Sequence, residues 1–273
     1  MKKVLFYSVM LAACALVACN NTSTADDPKE TGGIDGKFSV SAEKQVYFSQ
    51  GNLEYMPSEK VWQFSTSTWS VQGTNNDKVY TDPANWMDLF AWGAKDPLQT
   101  EFVEADFATF YDWGNNKISN GGNKAKMWRT LTKDEWVYLY NGRDNAKKLR
   151  GFATIGALSI GYVFLPDNWN LPVTFKADGA PEDNKFTEDQ WEAMQEAGAV
   201  FLPAAGYTYA YEESETDGVG RSGYYWSANP YEGEIGDCYA FYFYSNDGYQ
   251  SVSEENVAHG NNRYSVRLVR DVK

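Results

Sequence analysis

The chain has 273 residues, with 24 Lys and Arg against 37 Asp and Glu, a net charge of −13, and an aromatic share of 16%. An acidic balance of this size repels a phosphate backbone, so the composition excludes nucleic acid as a partner. One histidine and three cysteines leave little for a metal cage or a disulfide framework.

In chain order, Lys2 and Lys3 precede the apolar stretch from Val4 to Val17, which runs into Leu16-Val17-Ala18-Cys19. A short apolar run ending in small residues and a cysteine reads as a lipoprotein signal; a spanning helix would need about 20 apolar residues. The expectation is a signal peptide over 1–18, lipidation at Cys19, a flexible tether over 19–36, and a single folded domain over 37–273. Loss of Lys2 and Lys3 takes the basic count to 22 against 37 acids, a mature net charge of 22 − 37 = −15. Cys14 leaves with the signal and Cys19 carries lipid, so Cys238 has no intramolecular partner and the fold has to hold without disulfides.

Two helix starts are well marked. Thr132 with Glu135 forms a capping box, after which Trp136, Leu139, Tyr140 and Arg143 fall at helical spacing. Thr187 with Gln190 repeats the device, with Trp191, Met194 and Ala197 on one face and Gly198 as the stop. Most other segments, among them "FSVSAEKQVYFSQGNLEY", "WQFSTSTWSV", "AVFLPAAGYTY", "GYYWSAN", "CYAFYFYS" and "YSVRLVRD", read as strands separated by Gly, Asn, Asp and Pro clusters. The predicted class is α+β, with two short helices, small antiparallel sheets and long loops. The loops Gly73 to Asn85 and Phe175 to Lys185 exceed simple connectors, which marks them as candidate recognition segments.

"WRTLTKDEWVYLYNGR" is similar to the tryptophan-bearing helix motif of the formylglycine-generating-enzyme and sulfatase-modifying-factor superfamily, and "GYYWSAN" with "YSVRLVRD" resembles its closing strands. The stretch from about Phe38 to Asp271, with "DLFAWG", "YDWGNN", "LPDNWNLP" and "GAVFLPAAGY", resembles surface lipoproteins of Gram-negative gut bacteria with a C-type-lectin-like fold, some akin to the variable proteins of diversity-generating retroelements. The resemblance implies a C-type-lectin-like domain and an outer-membrane or cell-surface location. The enzyme branch uses a pair of C-terminal cysteines, whereas this chain offers only Cys238 there, so no enzymatic activity is expected. Sugar-binding members of the lectin class bind calcium through a loop Asn-Pro with acids and a following Asn-Asp pair. Asn229-Pro230, Glu232, Glu234, Asp237 and Asn246-Asp247 are similar to that set, but Ala228 stands where an acid is expected. The expectation is therefore no cofactor, with calcium as the alternative. His259 reads as an exposed loop histidine, with neither a nucleophile elbow nor a zinc set around it.

Strand alternation splits residues 238 to 244 into Tyr239, Phe241 and Phe243 on one face and Cys238, Ala240, Tyr242 and Tyr244 on the other, with Asn246 continuing the second. The phenylalanines belong inside. Tyrosines offer contact area with few rotors to freeze, which suits recognition. The resemblance implies that the segment from Tyr224 to Tyr264 faces the ligand. The candidate ligand-binding residues are Asn229, Tyr231, Asp237, Tyr242, Tyr244, Asn246, Tyr249, His259, Asn261, Asn262 and Tyr264, all reachable by adenine-directed codon change. Trp226, Arg129, Arg267 and Arg270 are assigned to structure, with Arg267 expected on a buried acid or a carbonyl. The expected function is a monomeric, lipid-anchored binder of a protein or glycan ligand. The alternatives are a polysaccharide-acting enzyme using Glu232 and Asp237 as an acid–base pair, or a subunit of a surface appendage.

Overall fold

The computed structural model describes residues 28–99, 109–157, 159–209 and 215–273. Both capping boxes form as the spacing predicts. Thr132 accepts from the Glu135 amide, and the Glu135 carboxylate accepts from the Thr132 amide, starting helix α2, Lys133–Val137, which continues as a π-helical turn over Tyr138–Gly142. Thr187 and Gln190 do the same for α3, Glu188–Glu196, and Gly198 ends it at φ +101°, a conformation open to glycine. Trp136 and Trp191 are buried directly after their boxes. A third short helix, α1, Asn75–Lys78, lies within the first long loop.

The strands form four sheets among the described residues. β1, Phe38–Ser39, and β2, Gln45–Phe48, join the last strand β16, Val269–Asp271, antiparallel to β2. β3, Leu53–Met56, pairs with β4, Val61–Phe64. A four-stranded sheet carries β6, Arg150–Ile155, β7, Ser159–Phe164, β8, Lys185–Phe186, and β9, Val200–Pro203.

The largest sheet runs β11–β10–β12–β13–β14. It is built from β10, Ala205–Tyr207, β11, Asp217–Val219, β12, Ser222–Pro230, β13, Asp237–Asn246, and β14, Tyr249–His259. β15, Arg263–Ser265, pairs with both β12 and β5, Leu89–Ala91. The class is α+β, with mainly small sheets and few, short helices.

Three clusters form the core. The first holds Phe38, Phe48, Trp136, Tyr162, Phe164, Phe241 and Phe243 among others; Phe241 stacks on Trp136 at 5.0 Å with 14° between the rings. The second gathers Trp62, Phe90, Trp92, Trp113, Trp128, Trp226, Cys238, Ala240 and Tyr264. The third packs α3 on the four-stranded sheet through Trp191, Met194 and Phe201.

Several expectations need correction. The tether boundary of 36 lies too far along the chain: Ile34 is 3% exposed within the first core cluster, and the Ile34 and Gly33 amides bond to Phe48 and Pro28 carbonyls. Cys19 and the signal stretch lie outside the described residues. The loop after Gly73 is pinned by Asn76, whose Nδ2 donates to Asp88 at 2.8 Å while its Oδ1 accepts from the Asp88 and Leu89 amides. The second long loop is held by Asn184, which donates to the Phe152 and Lys176 carbonyls and accepts from the Lys176 amide. Both loops are tied down by buried asparagines.

Candidate functional site

The hairpin β13–β14 is the longest element pair, and its two ends differ in cover. At the Asp237 end, Cys238 and Ala240 are fully buried against Trp226 and Tyr264, which belong to the second core cluster with Phe90 and Val266. That cover is tied down by Trp226 Nε1, which donates to the Phe90 carbonyl at 2.7 Å, and by Trp92 Nε1, which donates to the Ser227 carbonyl at 2.8 Å. In this half Cys238 and Ala240 are the inward residues while Asp237 and Tyr239 are only half-buried, so the face predicted to be open is the closed one here. Burial, reinforced by the Asp237 charge, pushes the Cys238 thiol far above its ordinary range, which favours the protonated thiol at neutral pH.

At the Asn246 end the same face carries tyrosines. Tyr242 packs on Tyr224 at 4.6 Å, Tyr224 meets Tyr207 edge-on at 5.2 Å, and Tyr207 meets Tyr209 at 4.8 Å. Tyr244 lies 6.1 Å from Tyr249 across the turn. Tyr242, Tyr244, Tyr207 and Tyr224 are half-buried, whereas Tyr209 and Tyr249 are 52% and 64% exposed. Beneath them Phe241 and Phe243 fill the first core cluster from the opposite face. The backbone between is fixed by ladders to β12 on one side and β14 on the other, so the rings sit on a rigid base. Burial raises the Tyr224 hydroxyl well above its usual range, helped by Tyr264 and Tyr242, and burial likewise raises Tyr242. These rings stay neutral at physiological pH and keep their O–H donors.

The predicted site residues do not converge on one spot. Asp237 and Asn246 stand at opposite ends of a ten-residue strand, about 30 Å apart at the usual rise. Tyr242, Tyr244, Asn246 and Tyr249 share the tyrosine end, with Asn246 Nδ2 donating to Asp247 at 3.2 Å. Tyr231, Asp237 and His259 lie at the other end, where Tyr231 packs edge-on to Tyr239 at 5.5 Å and Asp237 pairs in register with His259. His259 closes β14 rather than sitting in a loop, and its Nδ1 accepts from the Asn261 amide at 3.2 Å. Asn229 caps the start of α2, its Oδ1 accepting from the Lys133 amide at 2.9 Å, which makes it part of the scaffold.

Two candidates are sealed. Tyr264 is 3% exposed, sandwiched between Tyr224 at 4.4 Å and Trp226 at 4.3 Å, and Asn262 is 7% exposed and donates to the Tyr264 hydroxyl. Neither reaches a ligand, because β15 is enclosed between β12 and β5. Asn261 is half-buried, with an Oδ1 that has no protein partner. Sequence reasoning missed Tyr207 and Tyr209, which sit in "GYTY", one strand away from the aromatic run; only the pairing of β10 with β12 brings them to it.

The alternatives fare differently. Asn229 and Asp237 sit at one end of β13 and Asn246 and Asp247 at the other, so the calcium set is not assembled. Among the described residues no group of three or more acidic, His or Cys side chains gathers to hold a metal. Glu232 lies exposed on the β12–β13 turn while Asp237 is half-buried at the strand start. A cleft of about 200 Å³ opens beside Tyr140, Arg150, Tyr162, Asp178 and Gln250. Its guanidinium is already engaged: Arg150 donates to Asp178 at 3.1 Å and to the Tyr140 carbonyl, and lies over the Tyr140 ring. The arginines assigned to structure behave so. Arg129 bridges Glu135 and Asp271; Arg267, 1% exposed, donates to the Gln50 carbonyl at 3.1 Å and reaches Asn52 Oδ1 at 3.4 Å.

Residues 182–269 match a family model described as "Domain of unknown function (DUF8237)", a span that runs from just before β8 to the first residue of β16 and contains every strand of the largest sheet except β5. No curated protein and no solved structure matches the chain.

Proposed function

We propose that the protein is a lipid-anchored cell-surface binder that takes a protein or glycan ligand on the tyrosine end of its largest sheet. The observation that carries this reading is a pair of ring runs on one sheet, Tyr209, Tyr207, Tyr224 and Tyr242, and beside them Tyr244 and Tyr249, half-buried or exposed on a rigid ladder with a phenylalanine core beneath. Aromatic planes with neutral hydroxyls suit sugar rings or the apolar and amide surface of a protein. Asp217, on which the Tyr207 hydroxyl donates at 3.4 Å, and Asp247 add acceptors at the margin.

On this reading the domain is C-type-lectin-like, a finer assignment supported by the closing pair β2–β16 and by the two tryptophan-bearing helices. The protein then binds without turnover as a monomer at the outer membrane or cell surface, and needs no cofactor. The sealed, protonated Cys238 supports a non-catalytic role. Among the described residues no helix is long and apolar enough to cross a membrane, and the anchor proposed is the lipid on Cys19.

The test is a printed glycan array together with immobilised mucin, probed with wild type and with Tyr242→Ala/Tyr244→Ala. Wild type is expected to retain at least one probe, and the double variant to lose it while changing unfolding free energy by no more than about 1 kcal/mol. Retention of the probe by the double variant would defeat the site assignment. Release of new reducing ends from a glycan would instead show an enzyme.

A further inference from the structure

A second cleft, of about 430 Å³, is lined by Lys124, Lys126, Trp128, Arg129, Arg270 and Lys273, with the acidic Asp271 also on its wall. Five of its side chains are cationic in a protein whose net charge is −13. Its neighbours already neutralise one of them. Arg129 reaches Glu135 at 2.6 Å and Asp271 at 2.7 Å, and Lys44 reaches the same two acids at 3.1 and 3.5 Å, so these four groups sum to zero. Lys124 and Lys126, both exposed, add positive charge beyond that quartet.

The cleft has a firm floor. Trp128 is 3% exposed, with its Nε1 donating to the Gly121 carbonyl at 2.9 Å, and the Arg270 guanidinium lies 5.8 Å from the centres of both the Trp128 and Tyr47 rings. Asn123 and Lys126 hold left-handed backbone at φ 52° and 62°, fixed by amide bonds to the Ile118 and Gly114 carbonyls at 2.9 and 2.7 Å. A lysine kept in that conformation carries local strain, which is found where the surrounding structure dictates the direction of a side chain.

Position supplies the ligand. Arg270 Nη1 donates to Thr31 Oγ1 at 2.7 Å, so the first described residues, from Pro28 on, run beside the cleft. Between Cys19 and Pro28 lie nine residue steps, a contour of at most about 32 Å in any conformation. With the lipid on Cys19, as proposed above, the cleft is confined near the bilayer. A cationic recess there meets headgroup phosphates, and basic side chains at an anionic surface gain affinity additively.

We propose that this cleft is an anion site that takes the phosphate of a membrane lipid headgroup and thereby orients the anchored domain on its membrane. The proposal rests on the lipid-anchor reading but not on the tyrosine face. It is tested with the full chain carrying Cys19→Ser, partitioned onto vesicles of phosphatidylcholine alone or with about 30% phosphatidylglycerol. The expected result is at least about tenfold stronger partition onto the anionic vesicles. Most of that gain should disappear in Lys124→Gln/Lys126→Asn, where asparagine keeps the left-handed backbone. The same variant should keep its melting temperature and any glycan or mucin binding, and Tyr242→Ala/Tyr244→Ala should keep the anionic preference. Equal partition onto both vesicles, or an unchanged preference in the lysine variant, would overturn the proposal and leave the tyrosine site untouched. Binding of inorganic phosphate in calorimetry without vesicle preference would assign the cleft to a soluble anion and overturn the membrane source.

Discussion

The two halves of β13 share one alternating pattern and meet different fates. From Cys238 to Ala240 the second face lies under Trp226 and Tyr264; from Tyr242 to Asn246 the same face carries half-exposed rings. The cover comes from outside β13. Phe90 of β5 and Tyr264 of β15 pack in one core cluster with the first half, and the register of β13 shifts against both neighbours between Ala240 and its flanking residues. Alternation states which side chains share a face, while long-range topology decides whether anything covers that face.

The largest effect is expected at Phe241, in the first core cluster beneath the tyrosines. Phe241→Ala removes a ring stacked on Trp136 and touching Tyr162 and Phe164. The expected loss in chemical denaturation is about 3–5 kcal/mol. Next comes the cover. Asp88, 1% exposed, immediately precedes β5, and burial raises its carboxyl to about 6 despite hydrogen bonds from Asn76 and the Gln72 amide. The folded state therefore holds this proton more tightly than the unfolded chain does. Its stabilising contribution is complete below the ordinary aspartate range and is lost as pH rises through about 6. Relative to Asp88→Asn, wild type should lose on the order of 3 kcal/mol between pH 4 and 7; parallel stability curves for the two proteins would remove Asp88 from the account.

Smaller effects sharpen the contrast. Ala240→Leu forces a larger side chain under Trp226 and Tyr264 and should cost about 1–3 kcal/mol in the same assay. Tyr244→Ala and Tyr249→Ala, on the open half, should each change stability by no more than about 1 kcal/mol. A loss at Tyr244 as large as that at Ala240 would mean that both halves are covered.

The legible parts of the fold were local. Each capping box joins residues three apart, and its tryptophan follows at once, so Trp136 and Trp191 could be placed without tertiary information. Phe241 and Phe243 were legible because a strand's period is two. The hairpin β6–β7 was not: all but Thr154 of β6 and the last four residues of β7 are buried, which erases alternation. β14 escaped for the opposite reason, since Ser251, Ser253, Glu254 and Glu255 have little strand propensity and are extended because β13 supplies the ladder. Of the candidate residues, Tyr242 and Tyr244 were read from the alternation of their own strand, and Tyr249 only from the codon-reachable set. Tyr264 was misplaced because nothing near it in sequence signals the stacking of Tyr224 and Trp226 on its two faces. Lys124 and Lys126 gave no sign of a cleft, whose other wall comes from β16, more than a hundred residues later.

The most direct measurement is tyrosine nitration of the folded protein, mapped residue by residue by mass spectrometry. Tyr209, Tyr244 and Tyr249 should react readily and Tyr242 more slowly, while Tyr162, Tyr225 and Tyr264 stay protected until the chain unfolds. Tyr242 and Tyr244 as inert as Tyr225 would contradict an open aromatic face and the binding function built on it.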